Sequence, residues 1–117
     1  MTVASYKQLT QDISANLMPL RKSVPGVMAG FGDMGKAAIA DGALDAKTKE
    51  LIALAVGVAA RCEGCIGFHT KALARLGATA AEVHEALGVA IYMGGGPVAM
   101  YAASAVQAFE EFKPVTA

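Results

Sequence analysis

Residues 50–69 read ELIALAVGVAARCEGCIGFH, from Glu50 to His69. An ionisable residue is followed by an unbroken apolar stretch, Leu51 to Ala60, then by a C-x-x-C pair, Cys62 and Cys65, and then by a histidine. The apolar stretch is far short of the roughly 20 residues a membrane span needs. Its alanine and leucine content and lack of alternation read as a buried helix rather than a strand.

The flanking sequence carries helix signals on both sides. Asp45 is placed to cap a third helix running from Ala46 to Ala60, its carboxylate accepting first-turn amides. That helix is apolar nearly all round beyond Glu50, so it is expected in the middle of the domain, enclosed by the others. A fourth helix is expected from about Cys62 to Leu76, ending at Gly77. Thr79 and Glu82 have capping-box spacing and start a fifth, ending near Met93. The second long apolar stretch, Ala86 to Val106, is cut by Gly94, Gly95, Gly96 and Pro97, so Pro97 opens a sixth helix that ends near Phe112, before Pro114. Upstream, Ser5 and Gln8 start a first helix at Tyr6 that Pro19 is expected to stop after Met18, and a second follows Pro25 and fades near Asp41 and Gly42. The prediction is all-α, about six helices, one domain over residues 1–117.

Composition narrows the class. Of 117 residues, 55% are hydrophobic and only 17% charged, which excludes intrinsic disorder. A domain this short cannot bury so much apolar surface in its own core, so a homo-oligomer is expected. Ten Lys and Arg balance ten Asp and Glu, leaving no positive field for nucleic acid or an anionic membrane. Lys7, Gln8, Gln11 and Asp12 break up the N-terminal segment, which lacks the layout of a signal peptide. A cytoplasmic protein is expected, and there a C-x-x-C pair signals redox or metal chemistry rather than a structural disulfide.

On a helix starting at or just before Cys62, the spacing i, i+3, i+7 puts Cys62, Cys65 and His69 on one face. Helical side chains lean toward the N-terminus, so the imidazole of His69 projects back over the turn of Cys65. The positive end of the helix dipole and the Arg61 cation favour a thiolate at Cys62, whereas the i+4 histidine favours Cys65. A general base within hydrogen-bond reach acts on the attacking thiol directly, which is the ground for preferring Cys65. Glu50 is either the carboxylate that orients His69 or an exposed first-turn residue favourable to the dipole; spacing does not choose.

The arrangement E, eleven residues, C-x-x-C, three residues, H resembles the alkylhydroperoxidase AhpD-like branch of the carboxymuconolactone decarboxylase family. The flanking stretches Asp41 to Leu44, His69 to Leu73 and Tyr92 to Pro97 agree, so the resemblance covers about residues 25–112. It implies that family's all-helical fold, trimers or hexamers, and a peroxidase. It implies further that Cys65 attacks a hydroperoxide, Cys62 resolves the sulfenic acid to a disulfide, and Glu50 and His69 relay the proton, with no metal or organic cofactor. A dithiol reductant of the lipoyl-protein type is the implied partner. One departure stands out: some members carry a histidine immediately before the second cysteine, where this chain has Gly64. The C-x-x-C pair itself argues against lactone decarboxylation.

Two other readings use the same residues. One is a partner in thiol-disulfide exchange whose oxidant is a protein disulfide. The other is a zinc-stabilised or structural oligomer, in which Cys62, Cys65, His69 and His84 would form a Cys2His2 set. Gly30, Gly32 and Gly35 match G-x-G-x-x-G, but no strand precedes them, so a dinucleotide site is not expected. Tyr92 and Tyr101 are candidates for lining a pocket near the thiols, with interface packing the default.

Overall fold

The computed structural model describes residues 3–114, and these form six helices with no strand among them. They are α1 (Tyr6–Ser23), α2 (Pro25–Ile39), α3 (Ala46–Ala59), α4 (Glu63–Arg75), α5 (Ala80–Gly94) and α6 (Gly96–Phe112). The fold class is all-α, as the sequence predicts. Asp45 accepts the amide of Thr48 at 2.8 Å, and Thr79 and Glu82 exchange both bonds of a capping box. Gly77, at φ +78°, closes α4 in the left-handed conformation that glycine adopts without strain.

Two expectations need correction. The first helix does not stop at Pro19 but continues through it to Ser23. The break falls instead at Val24, whose backbone is forced out of the helical region by the ring of Pro25, while Pro25 opens α2 at a position where no amide is needed. The third helix is not enclosed: Glu50, Leu54, Gly57 and Val58 are buried, but Ile52 and Val56 are 49% and 62% exposed on its far side. Helices α4, α5 and α6 cover one face of α3, and α2 touches only part of the rest.

The core is shared by α3 to α6, through Leu54, Val58, Ile66, Leu73, Val83, Leu87 and Phe109, with Tyr6 of α1 inserted at its edge. Helix α1 packs on α4 and α6. Helix α2 buries no residue and leaves Val27, Phe31 and Met34 open to solvent. No helix among the described residues is long and apolar enough to cross a membrane.

Candidate functional site

The turn between α3 and α4 sets the cysteines in place. Arg61 adopts φ +59°, and the amides of Arg61 and Cys62 bond back to the carbonyls of Val58 and Gly57, both at 3.0 Å. This is a helix C-cap of the Schellman type with arginine where glycine is usual. Cys62 emerges from it as the N-cap of α4, not as its first residue, and its Sγ accepts the amide of Cys65 at 3.1 Å. The sulfur of Cys62 thus lies at the positive end of the helix. Cys62 and Cys65 are joined as a disulfide, their Cα atoms 5.2 Å apart.

Glu50 is 6% exposed, and its Oε2 lies 2.8 Å from Nδ1 of His69. Burial of a carboxylate is costly unless it is partnered, and the ring of His69 is that partner. The reading of Glu50 as an exposed first-turn residue therefore fails. Where the carboxylate is ionised it can only accept, so Nδ1 is the donor in this contact, and in the neutral imidazole Nε2 then keeps its lone pair. Among the described residues no hydrogen bond joins the imidazole to either sulfur in this disulfide form.

Close helix contacts make the arrangement possible. A Cβ at Gly57 would lie 2.9 Å from Cβ of Cys65, so the absence of a side chain lets α3 pass against the second cysteine. At Gly64, inside the pair, a Cβ would lie 3.0 Å from Cδ1 of Ile13; the space a histidine would need is bordered by α1.

Sequence reading missed how α1 is tied to this turn and to α6. The phenol of Tyr6 donates to Oε2 of Glu63 at 2.5 Å, and the backbone amide of Tyr6 donates to both carboxylate oxygens of Glu111 at 3.0 Å. Tyr6 is 1% exposed; burial, reinforced by the bond to the Glu63 carboxylate, pushes its phenol up to about 12. Burial also works to raise Glu111, but the amides of Tyr6 and Lys7 and the Ser5 hydroxyl outweigh it and hold the carboxyl below its ordinary value. Glu63 was visible within the motif, yet its partner is 57 residues away in the chain and has no local signal.

The remaining candidates lie elsewhere. His84 is on α5, at an exposed apolar groove with Leu87, Ile91 and Val106, and among the described residues no three His, Cys, Asp or Glu side chains group as a metal site. Gly30, Gly32 and Gly35 lie inside α2. Tyr92 is 85% exposed, and Tyr101 packs against the core.

Six helices carry a C-x-x-C pair at the N-terminus of the fourth, bonded as a disulfide and backed by a buried carboxylate-histidine pair. The chain belongs to the carboxymuconolactone decarboxylase family, whose model matches residues 25–108. It is 41% identical to an uncharacterised protein of Cupriavidus necator over 94% of this chain and 96% of that one. Its fold matches the crystal structure of a carboxymuconolactone decarboxylase family protein from Legionella pneumophila, with a TM-score of 0.91, 54% identity, and coverage of 93% of this chain and 97% of the other. A crystal structure from Thermotoga maritima matches at a TM-score of 0.75 and 29% identity, covering 91% and 90% of the two chains. Tyr6 and Glu111 both fall outside the span matched by the family model.

Proposed function

We propose that this protein is a thiol-dependent hydroperoxidase of the AhpD-like branch of its family. The observation that supports the reading best is the buried Glu50 bonded to Nδ1 of His69, one helical turn beyond Cys65. Nε2 of His69 takes the proton of the Cys65 thiol, and Glu50 stabilises the imidazolium. The thiolate attacks the outer oxygen of the hydroperoxide, the O–O bond breaks, and the departing alkoxide leaves as an alcohol with the proton from His69. Sulfur is thereby oxidised to sulfenic acid. The Cys62 thiol displaces water from it and closes the disulfide. An external dithiol of the lipoyl type returns the pair to its reduced form, becoming a disulfide itself. With Gly64 in place of a second histidine, His69 is the one imidazole in this relay. The exposed apolar surface of α2, α3 and α5 supports a homo-oligomer, the charge balance a protein that binds neither nucleic acid nor an anionic membrane, and a cycling C-x-x-C pair suits the reducing cytoplasm.

The test is the intact mass of fully reduced protein before and after one equivalent of cumene hydroperoxide, with alkylation of the thiols that remain. Loss of two hydrogens and protection of both cysteines is the expected result. In Cys62→Ser the sulfenic acid at Cys65 accumulates, and in Cys65→Ser it does not form. Two thiols still free and alkylated in the wild type would overturn the peroxidase reading.

A further inference from the structure

The four residues Cys62, Glu63, Gly64 and Cys65 contain a charge that the peroxidase reading does not use. Glu63 is the first residue of α4, next to Cys62 and partly buried. Its carboxylate is not free to swing into water, because Oε2 accepts the phenol of Tyr6. Tyr6 in turn cannot move. Its amide is held by Glu111 of α6, its ring lies against Gly67 of α4, and its side chain is within the core cluster. A Cβ at Gly67 would meet Cγ2 of Thr10 at 2.7 Å and Cδ1 of Tyr6 at 3.6 Å, so α1 is seated directly on the first turns of the cysteine helix.

The helix N-terminus and Arg61 both favour thiolate at this turn. A fixed carboxylate there works against them. The other charged groups around the pair are the Glu50–His69 couple on the α3 side and Glu111 behind Tyr6; neither contacts Glu63. We propose that Tyr6 is a positioning residue for the Cys62–Cys65 couple: its phenol holds the Glu63 carboxylate at the first turn of α4, one residue beyond Cys62, and that fixed negative charge disfavours thiolate and holds the couple at a low reduction potential. The phenol suits this task, since burial and the Glu63 carboxylate keep it protonated, and hence a donor, well past neutral pH.

The inference rests on the reading of Cys62 and Cys65 as a working redox pair, but its test does not need peroxide. Protein disulfide and reduced dithiothreitol are equilibrated with protein dithiol and oxidised dithiothreitol at pH 7 and pH 9. The fraction of dithiol is read by alkylation and mass. Glu63→Gln keeps an oxygen for the phenol and loses the charge; the expected result at pH 9 is a shift of about tenfold toward dithiol, ~30 mV for a two-electron couple, and a smaller shift at pH 7. Tyr6→Phe, which keeps the buried ring, moves the equilibrium the same way by about threefold or more at pH 9, because the released carboxylate turns to water. The double variant goes no further than Glu63→Gln. A Glu63→Gln equilibrium within about twofold of wild type at both pH values overturns the proposal, as does an unchanged Tyr6→Phe couple or a Tyr6→Phe shift that adds in full to that of Glu63→Gln. Failure of peroxide turnover with these shifts intact would sink the peroxidase reading alone.

Discussion

At the scale of single residues, Arg61 carries a backbone cost and Tyr6 a buried phenol, and both lie beside the cysteine pair. A non-glycine residue in the left-handed region costs about 1–2 kcal/mol, part of which returns because arginine has fewer unfolded conformations than glycine. Arg61→Gly is therefore expected to stabilise the fold by ~0.5–1 kcal/mol in urea denaturation. It also removes a cation next to Cys62, so alkylation of the reduced pair should slow at neutral pH. Loss of stability in that variant would mean that the Arg61 side chain holds the turn. Tyr6 gives a pH prediction with a definite sign. Its phenol ionises near its ordinary 10 in the unfolded chain and at about 12 in the fold, so the folded state keeps the proton longer. Stability from this group is complete below pH 10 and falls by ~1.4 kcal/mol per pH unit between 10 and 12. Urea midpoints across that range, compared with Tyr6→Phe, measure it; the variant should lose this part of the alkaline slope.

At the scale of helices, the site is a contact between α3 and α4 clamped by α1. The contact depends on Gly57, where an added methyl meets Cβ of Cys65 at a distance real carbon atoms do not tolerate. Neither partner is the end of a flexible chain, so α3 and α4 must part. Gly57→Ala is expected to destabilise by about 1–3 kcal/mol despite the better helix propensity of alanine. Thermal unfolding reads that loss, and an unchanged or raised midpoint would show that the helices separate at no cost. The helix boundaries show how far sequence signals reach. Caps within three or four residues, Asp45 to Thr48 and Thr79 to Glu82, were legible because the donor and acceptor are neighbours in the chain. The end of α1 was not, because two prolines compete: Pro19 costs one bond in an exposed helix, whereas Pro25 acts on Val24 and ends it.

At the scale of the molecule, a small bundle leaves much of its apolar surface uncovered. Val27, Phe31 and Met34 on α2, Ile52 and Val56 on α3, and Val89, Tyr92 and Met93 on α5 are all exposed. Patches of this extent mark contacts between chains more often than free surface. The expected result of sedimentation equilibrium at micromolar concentration is a trimer or hexamer. Phe31→Glu, at a side chain 68% exposed, should lower that mass without lowering the stability of the separate chain. A monomeric wild type would refute the expectation.

Spacing within residues 50–69 is enough to read a helical segment, two thiols one turn apart, and a histidine one turn beyond the second. Those features follow from spacing along one helix, which a linear sequence specifies. It took the packed helices to show that Glu50 is buried against His69, that Cys62 caps α4 rather than beginning it, that α3 keeps an open face, and that Tyr6 joins α1 to the cysteine turn through Glu63 and to α6 through Glu111. Each of those depends on side chains brought together from separate helices. Packing settles which of several permitted faces turns inward, and the buried charges then take whichever partner that packing supplies.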